Sequence, residues 1–399
     1  MRIRVLTSAW WGPPKKFDRE IKDRRVSWLE LFYDLVYVIA IARITHHLSE
    51  HISLYSFLEF IAMFMLIYWG WLNGSLYYDL HGNLGLRTRL MTLWQMMIVS
   101  ALAITIDHSS AGSYFNTTIV LMIMQFFITY LWWSVGFYDK EHRRYNKPYS
   151  VLYIIAFAFM GLSLFLSKEW LMFIVPIVII CNYAPPFISS RLLRHDALNL
   201  NLSSSMSERL GLFTIIIFGE AVLGVVNGIS DVHITDVSTW VKFALGITIV
   251  FSLWWIFFTM ASNRDAKKGF LNATLLELAY IPALVSLGMI AACFSSLFNP
   301  HDSVQTLQKI IGYAMPIFLI SVNLMMGLLE TPDTFRKIVK TVRKSLFISA
   351  IIFLLTNFIL VNLDSMYYLA VVLVLLVMEI LFLNIIYFTT NPGIKADLE

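Results

Sequence analysis

Apolar runs of about twenty residues, separated by short polar breaks, constrain this chain more than any other feature. A spanning α-helix needs about 20 mostly apolar residues, and such runs recur along the whole sequence. They read as spans at 26–46, 53–78, 89–107, 113–138, 148–167, 169–188, 207–228, 238–261, 274–297, 307–330, 344–363 and 366–389. The breaks at Ser167–Glu169 and Leu363–Ser365 are the shortest. Longer polar marks include Asp107-His108-Ser109-Ser110, Ser262-Asn263-Arg264-Asp265 and Asn299-Pro300-His301-Asp302. Only 14% of the residues are charged, against about a quarter in soluble domains, and 58% are hydrophobic. Such a chain cannot cover itself with a water-compatible surface, so the expected fold is an all-α membrane protein with about twelve transmembrane helices.

Basic residues set the expected topology, because Lys and Arg concentrate on the cytoplasmic side of short loops. The tail 1–25 carries eight. Alternate loops then carry Arg87 and Arg89; Lys140, Arg143, Arg144 and Lys147; Arg191 and Arg194; Arg264, Lys267 and Lys268; and Arg336, Lys337, Lys340, Arg343 and Lys344. With Arg209 and Lys395, 26 of the 30 basic residues fall on one face. Arg43, Lys168, Lys242 and Lys309 lie at or near the other. Eleven or thirteen spans would scramble this alternation, so twelve with both termini cytoplasmic is expected. The first apolar stretch has no cleavage-like site after it and is expected to stay as an anchor rather than act as a signal peptide.

The two halves align at a constant shift of 186 residues. Leu31-Phe32-Tyr33-Asp34 falls on Ile217-Phe218-Gly219-Glu220, Tyr68-Trp69 on Trp254-Trp255, Asp79 on Asp265 and Val99-Ser100 on Val285-Ser286. The pair Lys22-Asp23 falls on Glu208-Arg209. The expected organisation is a basic tail (1–25), a six-helix repeat (26–188), a linker (189–206), a second six-helix repeat (207–389) and a tail (390–399). Six helices is an even number, so the two copies run parallel, related by an axis along the membrane normal.

Asp34 and Glu220 are the expected site residues. Counted from the charge pairs, each lies about 15 Å into its helix, near the midplane. An acid there costs roughly 2.5–3.5 kcal/mol on insertion scales, and partners, water or function must offset it. One reading is a proton- or ion-exchanging site; the other is a hydrogen bond that holds the bundle together. Glu30, one turn below Asp34, has Ile216 as its counterpart, so the two copies differ. Glu208 and Arg209 form a candidate inner gate pair. The glycines at 211, 219, 224 and 228 read mainly as packing positions. The tryptophan pairs Trp69/Trp71, Trp132-Trp133 and Trp254-Trp255 read mainly as packing or interface anchors. His47 and His51 are spaced i, i+4, but a solvated interfacial cluster is the expected reading rather than a metal site.

Neither a P-loop nor an HExxH or GxSxG motif is present. The two cysteines, Cys181 and Cys293, sit inside apolar runs and give neither a disulfide framework nor metal spacing. No cofactor, metal or nucleic-acid partner is expected.

The run Ser27-Trp28-Leu29-Glu30-Leu31-Phe32-Tyr33-Asp34-Leu35-Val36-Tyr37-Val38 resembles the opening signature of the bacterial low temperature requirement protein A family. Glu208-Arg209-Leu210-Gly211-Leu212-Phe213-Thr214-Ile215, continuing to Phe218-Gly219-Glu220-Ala221-Val222-Leu223, resembles its second signature. The resemblance covers nearly the whole chain. It implies an integral protein of the bacterial cytoplasmic membrane associated with growth in the cold, and it supplies no mechanism. The expected function is a secondary transporter coupled to protons or a small cation, with an unspecified small-molecule substrate. Asp34, Glu220 and Glu30 would form its ion site, with no enzymatic activity. The alternatives are a non-transporting protein that supports the membrane in the cold by binding lipid or partner proteins, and an intramembrane enzyme acting on lipid.

Overall fold

The computed structural model describes residues 14–15, 25–82, 85–106, 113–140, 143–193, 201–230, 236–262, 264–297, 303–331, 333–360 and 363–390. Most of the basic N-terminal tail, Arg194, the marks at 107–110 and 299–302 and nearly all of the C-terminal tail lie outside them. The described chain is all α. Its helices are α1 (Trp28–Glu50), α2 (Leu54–His81), α3 (Leu86–Ile106), α4 (Ser113–Tyr138), α5 (Arg143–Ser163), α6 (Leu171–Tyr183) and α7 (Pro185–Leu193). They continue as α8 (Ser204–Ser230), α9 (Val237–Ala261), α10 (Phe270–Ser296), α11 (Val304–Leu328), the short α12 (Asp333–Arg336), α13 (Val339–Ile359) and α14 (Ser365–Thr390).

Each of the twelve expected spans has a helical counterpart, with α6 and α7 together forming the sixth. Ten segments are long and apolar enough to cross a membrane by length and composition, among them Lys168–Leu192 taken as one. The two helices outside that set are α1 and α5. α1 carries Glu30, Asp34 and Arg43 within its length, and α5 opens on Arg143, Arg144 and Lys147. The short breaks also hold. A 3₁₀ turn at Lys168–Trp170 leads into α6, and the Asp364 side chain accepts the Met366 N–H (2.9 Å) at the start of α14.

By their contacts the described residues form two units. The first takes those of Met1–His47, Phe57–Phe213 and Lys268–Thr274; the second takes Leu48–Ser56, Thr214–Lys267 and Leu275–Glu399. The division therefore falls inside α8, after Phe213.

In the first unit α4 packs on α3 and α5, and α5 packs on α6 and α7. Polar side chains inside this apolar unit bond between helices, as burial requires. Tyr153 Oη donates to Asn73 Oδ1 at 2.7 Å, and the Gln125 and Asn182 amides exchange two bonds at 3.0 and 3.1 Å. Ser203 and Ser205 Oγ donate to the two Asp79 oxygens at 2.6 and 2.5 Å, tying the start of α8 to the end of α2.

In the second unit α11 packs on α13, and α14 packs on α9 and α13. The loops after α9 and α11 are joined by a single bridge between Ala266 and Leu329, with Lys267 N–H donating to the Leu328 carbonyl and Glu330 N–H to the Asp265 carbonyl, both at 2.8 Å. Gly224 serves close packing, as its spacing suggests. A Cβ there would collide with the Ala291 carbonyl of α10, whereas Gly211 and Gly219 face open space.

Candidate functional site

The site in the first unit is assembled from α1, α2 and the first turns of α8. α1 opens with a capping box: Ser27 N–H and Oγ donate to Glu30 Oε2 (2.9 and 2.8 Å), and Glu30 N–H returns to Ser27 Oγ (3.4 Å). This Ser-x-x-Glu signal stands in the sequence and gives Glu30 a local duty at the helix start. One turn later Asp34 points inward and is fully buried.

Arg209, on the second turn of α8, is its partner. Nη2 and Nε donate to Asp34 Oδ1 and Oδ2 at 2.5 and 3.2 Å, the forked geometry a guanidinium makes with a carboxylate. Nη1 reaches Glu30 Oε1 at 3.5 Å. The Trp71 indole N–H on α2 gives Asp34 Oδ1 a third donor at 2.7 Å. Glu30, Asp34, Arg209 and Trp71 are each at most 1% exposed.

Aromatic rings wall in the guanidinium. Its carbon lies 5.5 Å from the Tyr33 ring centre and 5.9 Å from that of Trp71, within cation–π range. Phe213 follows Arg209 by one helical turn and stacks on Trp71 at 4.2 Å, so α8 holds the indole from one side while Asp34 holds its N–H. Gly74 completes the packing, since a Cβ there would collide with the Tyr33 hydroxyl. The Tyr37 hydroxyl, also fully buried, finds no hydrogen-bond partner among the described residues.

Two expectations change here. Arg209 does not face Glu208. Neighbouring helical positions point about 100° apart, and Glu208 is exposed while Arg209 turns inward to Asp34 and Glu30. Asp34 also lies nearer the helix start than the midplane expectation placed it. That distance was counted from Lys22-Asp23, whereas α1 begins at Trp28 and puts Asp34 about 9 Å along its axis. Arg209 lies about 8 Å into α8, so the two charges meet at a common depth.

Glu220 belongs to the second unit. It is half-buried, about 24 Å into α8, with no hydrogen-bond or ion-pair partner among the described residues. Another acid inside a helix of that unit is differently served. Glu379 on α14 is 5% exposed and accepts from Ser345 Oγ at 2.8 and 2.7 Å and from Ser349 Oγ at 2.7 Å, both on α13. Trp254 and Trp255 are partly exposed, whereas Trp69 and Trp71 are core residues.

Among known proteins, a family model for the bacterial low temperature requirement A protein matches residues 25–383. A protein of Rhizobium meliloti (strain 1021), described only as uncharacterised, is 25% identical over an alignment of 274 residues, and the match covers 61% of this chain and 61% of that protein. No solved structure matches.

Proposed function

The chain belongs to the bacterial low temperature requirement A protein family, a multi-pass membrane protein by its helices, and from that premise we propose that it is a proton- or cation-coupled secondary transporter. The observation that carries this reading is the shared grip at the buried site: Asp34 and Glu30 both bond the Arg209 guanidinium. Arg209 grips Asp34 with two nitrogens and touches Glu30 with the third. A proton or small cation arriving at Asp34 competes for the oxygens that hold Arg209 and turns the fork toward Glu30. Departure restores the first arrangement. Such an element has two discrete states, which coupling between an ion and a substrate requires. Tyr37, with its unmatched hydroxyl three residues beyond Asp34, supplies a further polar contact beside the exchange site.

Glu220 is a second exchange site in this reading, without a resident cation. The two halves are parallel repeats in the cytoplasmic membrane with both termini inside. The pairing of α4 with α5 and of α11 with α13, at corresponding places in the two halves, supports the repeat.

The test is current from reconstituted protein on a solid-supported membrane, across ions, amino acids, sugars and osmolytes and across imposed pH gradients. Wild type is compared with Asp34→Asn and Glu220→Gln, each checked for folding. A substrate-dependent current that is lost in folded Asp34→Asn is the expected result. Silence from folded wild-type protein across the panel, or a current indifferent to both substitutions, overturns the reading in favour of a non-transporting role.

A further inference from the structure

The second unit holds a groove between α13 and α14 that the transport reading does not use. Its volume is about 460 Å³, within the range of small-ligand sites. One end carries Lys344 and Thr341, near the start of α13 and within the basic run 336–344. The walls are apolar and outward-facing, with Ile348 55% and Met378 61% exposed. The carboxyl group of Glu379 lies among the lining residues, in a setting otherwise suited to acyl chains.

Glu379 is the unusual part. Two hydroxyls, Ser345 and Ser349, hold it in place, and both its oxygens are acceptors. A carboxylate offers about four acceptor positions, and two hydroxyl protons leave some of them open. No Lys, Arg or His among the described residues lies within ion-pair distance of it. Lys344, at the mouth, likewise makes no ion pair among the described residues. The groove thus presents a fixed acceptor within, a cation at its mouth and apolar walls beside both.

We propose that this groove binds a phospholipid whose zwitterionic headgroup carries a primary ammonium, the ammonium donating to Glu379 and the phosphate facing Lys344. The chemistry distinguishes this lipid from its neighbours in the bilayer. A trimethylated headgroup has the same charges but no N–H to donate, and a glycerol headgroup on an anionic phosphate offers Glu379 only neutral hydroxyl donors, without a positive charge. The inference is independent of transport, since binding is read without it.

Native mass spectrometry of the detergent-solubilised full chain, titrated with phosphatidylethanolamine, phosphatidylcholine or phosphatidylglycerol, tests it. Wild type is expected to hold phosphatidylethanolamine roughly tenfold or more tighter than phosphatidylcholine, about the advantage of one charge-assisted hydrogen bond. Glu379→Gln brings that ratio close to one, and Lys344→Met weakens both. Equal binding of the two lipids by wild type, or a preference that survives Glu379→Gln, overturns the proposal. Should Glu379→Gln fail to fold, Ile348→Trp decides. It fills the groove from an exposed position with the acid intact, and it must lose phosphatidylethanolamine; retention overturns the proposal.

Discussion

Asp34 and Glu220 occupy matched places at the 186-residue spacing, yet the chain treats them in opposite ways. Asp34 is fully buried and receives three donors, two from Arg209 and one from Trp71. Glu220 is half-buried and has no partner among the described residues. The same shift explains much of the contrast. The position matching Trp71 is Phe257, which has no N–H, and the position matching Arg209 is Asp23, an acid. Acids at matched sequence positions can thus have different surroundings, one locked by a built ion pair and the other without a partner among the described residues. Matched position does not fix chemistry; partners do.

The comparison breaks most visibly at Arg209. Arg209→Leu leaves Asp34 and Glu30 buried together without their cation, and stripping one partner from a buried pair typically costs about 3–5 kcal/mol. Failure to fold, or a large drop in the melting temperature of the purified protein, is expected. A melting temperature close to wild type would show that the first site is not locked and would erase its difference from the second.

Asp34→Asn is expected to cost less, about 2–3 kcal/mol, because Arg209 keeps Glu30 and the amide oxygen still accepts from Trp71. The sharper measurement is a cycle with Arg209→Gln. If the pair acts as a unit, the double variant is less damaged than the sum of the singles, with a coupling of about 1–3 kcal/mol. Additive losses would mean that each residue is held by something else.

Trp71→Phe gives the first half the residue that the second half has at the matching position. The phenyl ring can still face Phe213, while the hydrogen bond to Asp34 and part of the buried ring volume are lost, so a cost of about 1.5–3 kcal/mol or more is expected. A change smaller than about 0.5 kcal/mol would mean that the indole N–H contributes nothing to stability.

The contrast between the two acids was only partly legible in the sequence. Apolar run length carried the helices, because it follows from the bilayer itself and needs no tertiary knowledge. The same rule drew attention to Asp34, since an acid among apolar residues is conspicuous wherever it folds. Its partner was not legible in this way. Arg209 lies 175 positions away and looks like one more inner-face cation beside Glu208, and only the packing of α1 against the start of α8 turns it inward. Trp71 was hidden among tryptophans that do serve as packing. Two signals could have been read from the letters alone. Ser27-x-x-Glu30 is a capping box, and Arg209-x-x-x-Phe213 places a cation and a ring on one helical face. Glu379 stands in the sequence as an acid inside an apolar run, but its two serines lie on another helix, beyond the reach of local pattern.

The smallest expected effect tests the other side of the comparison. Glu220→Gln removes a charge that no described donor satisfies, so stability should stay within about 1 kcal/mol of wild type, with any change toward greater stability. The same substitution at an acid built into a network would be costly, as Asp34→Asn is. A melting curve of the folded variant measures this directly. A loss of about 3 kcal/mol or more would mean that Glu220 is held as tightly as Asp34, making the two halves alike in kind. An unchanged melting temperature combined with altered current in the transport assay would separate the acids cleanly. Asp34 would then hold the bundle and switch with Arg209, while Glu220 would exchange its ion without bearing on the fold.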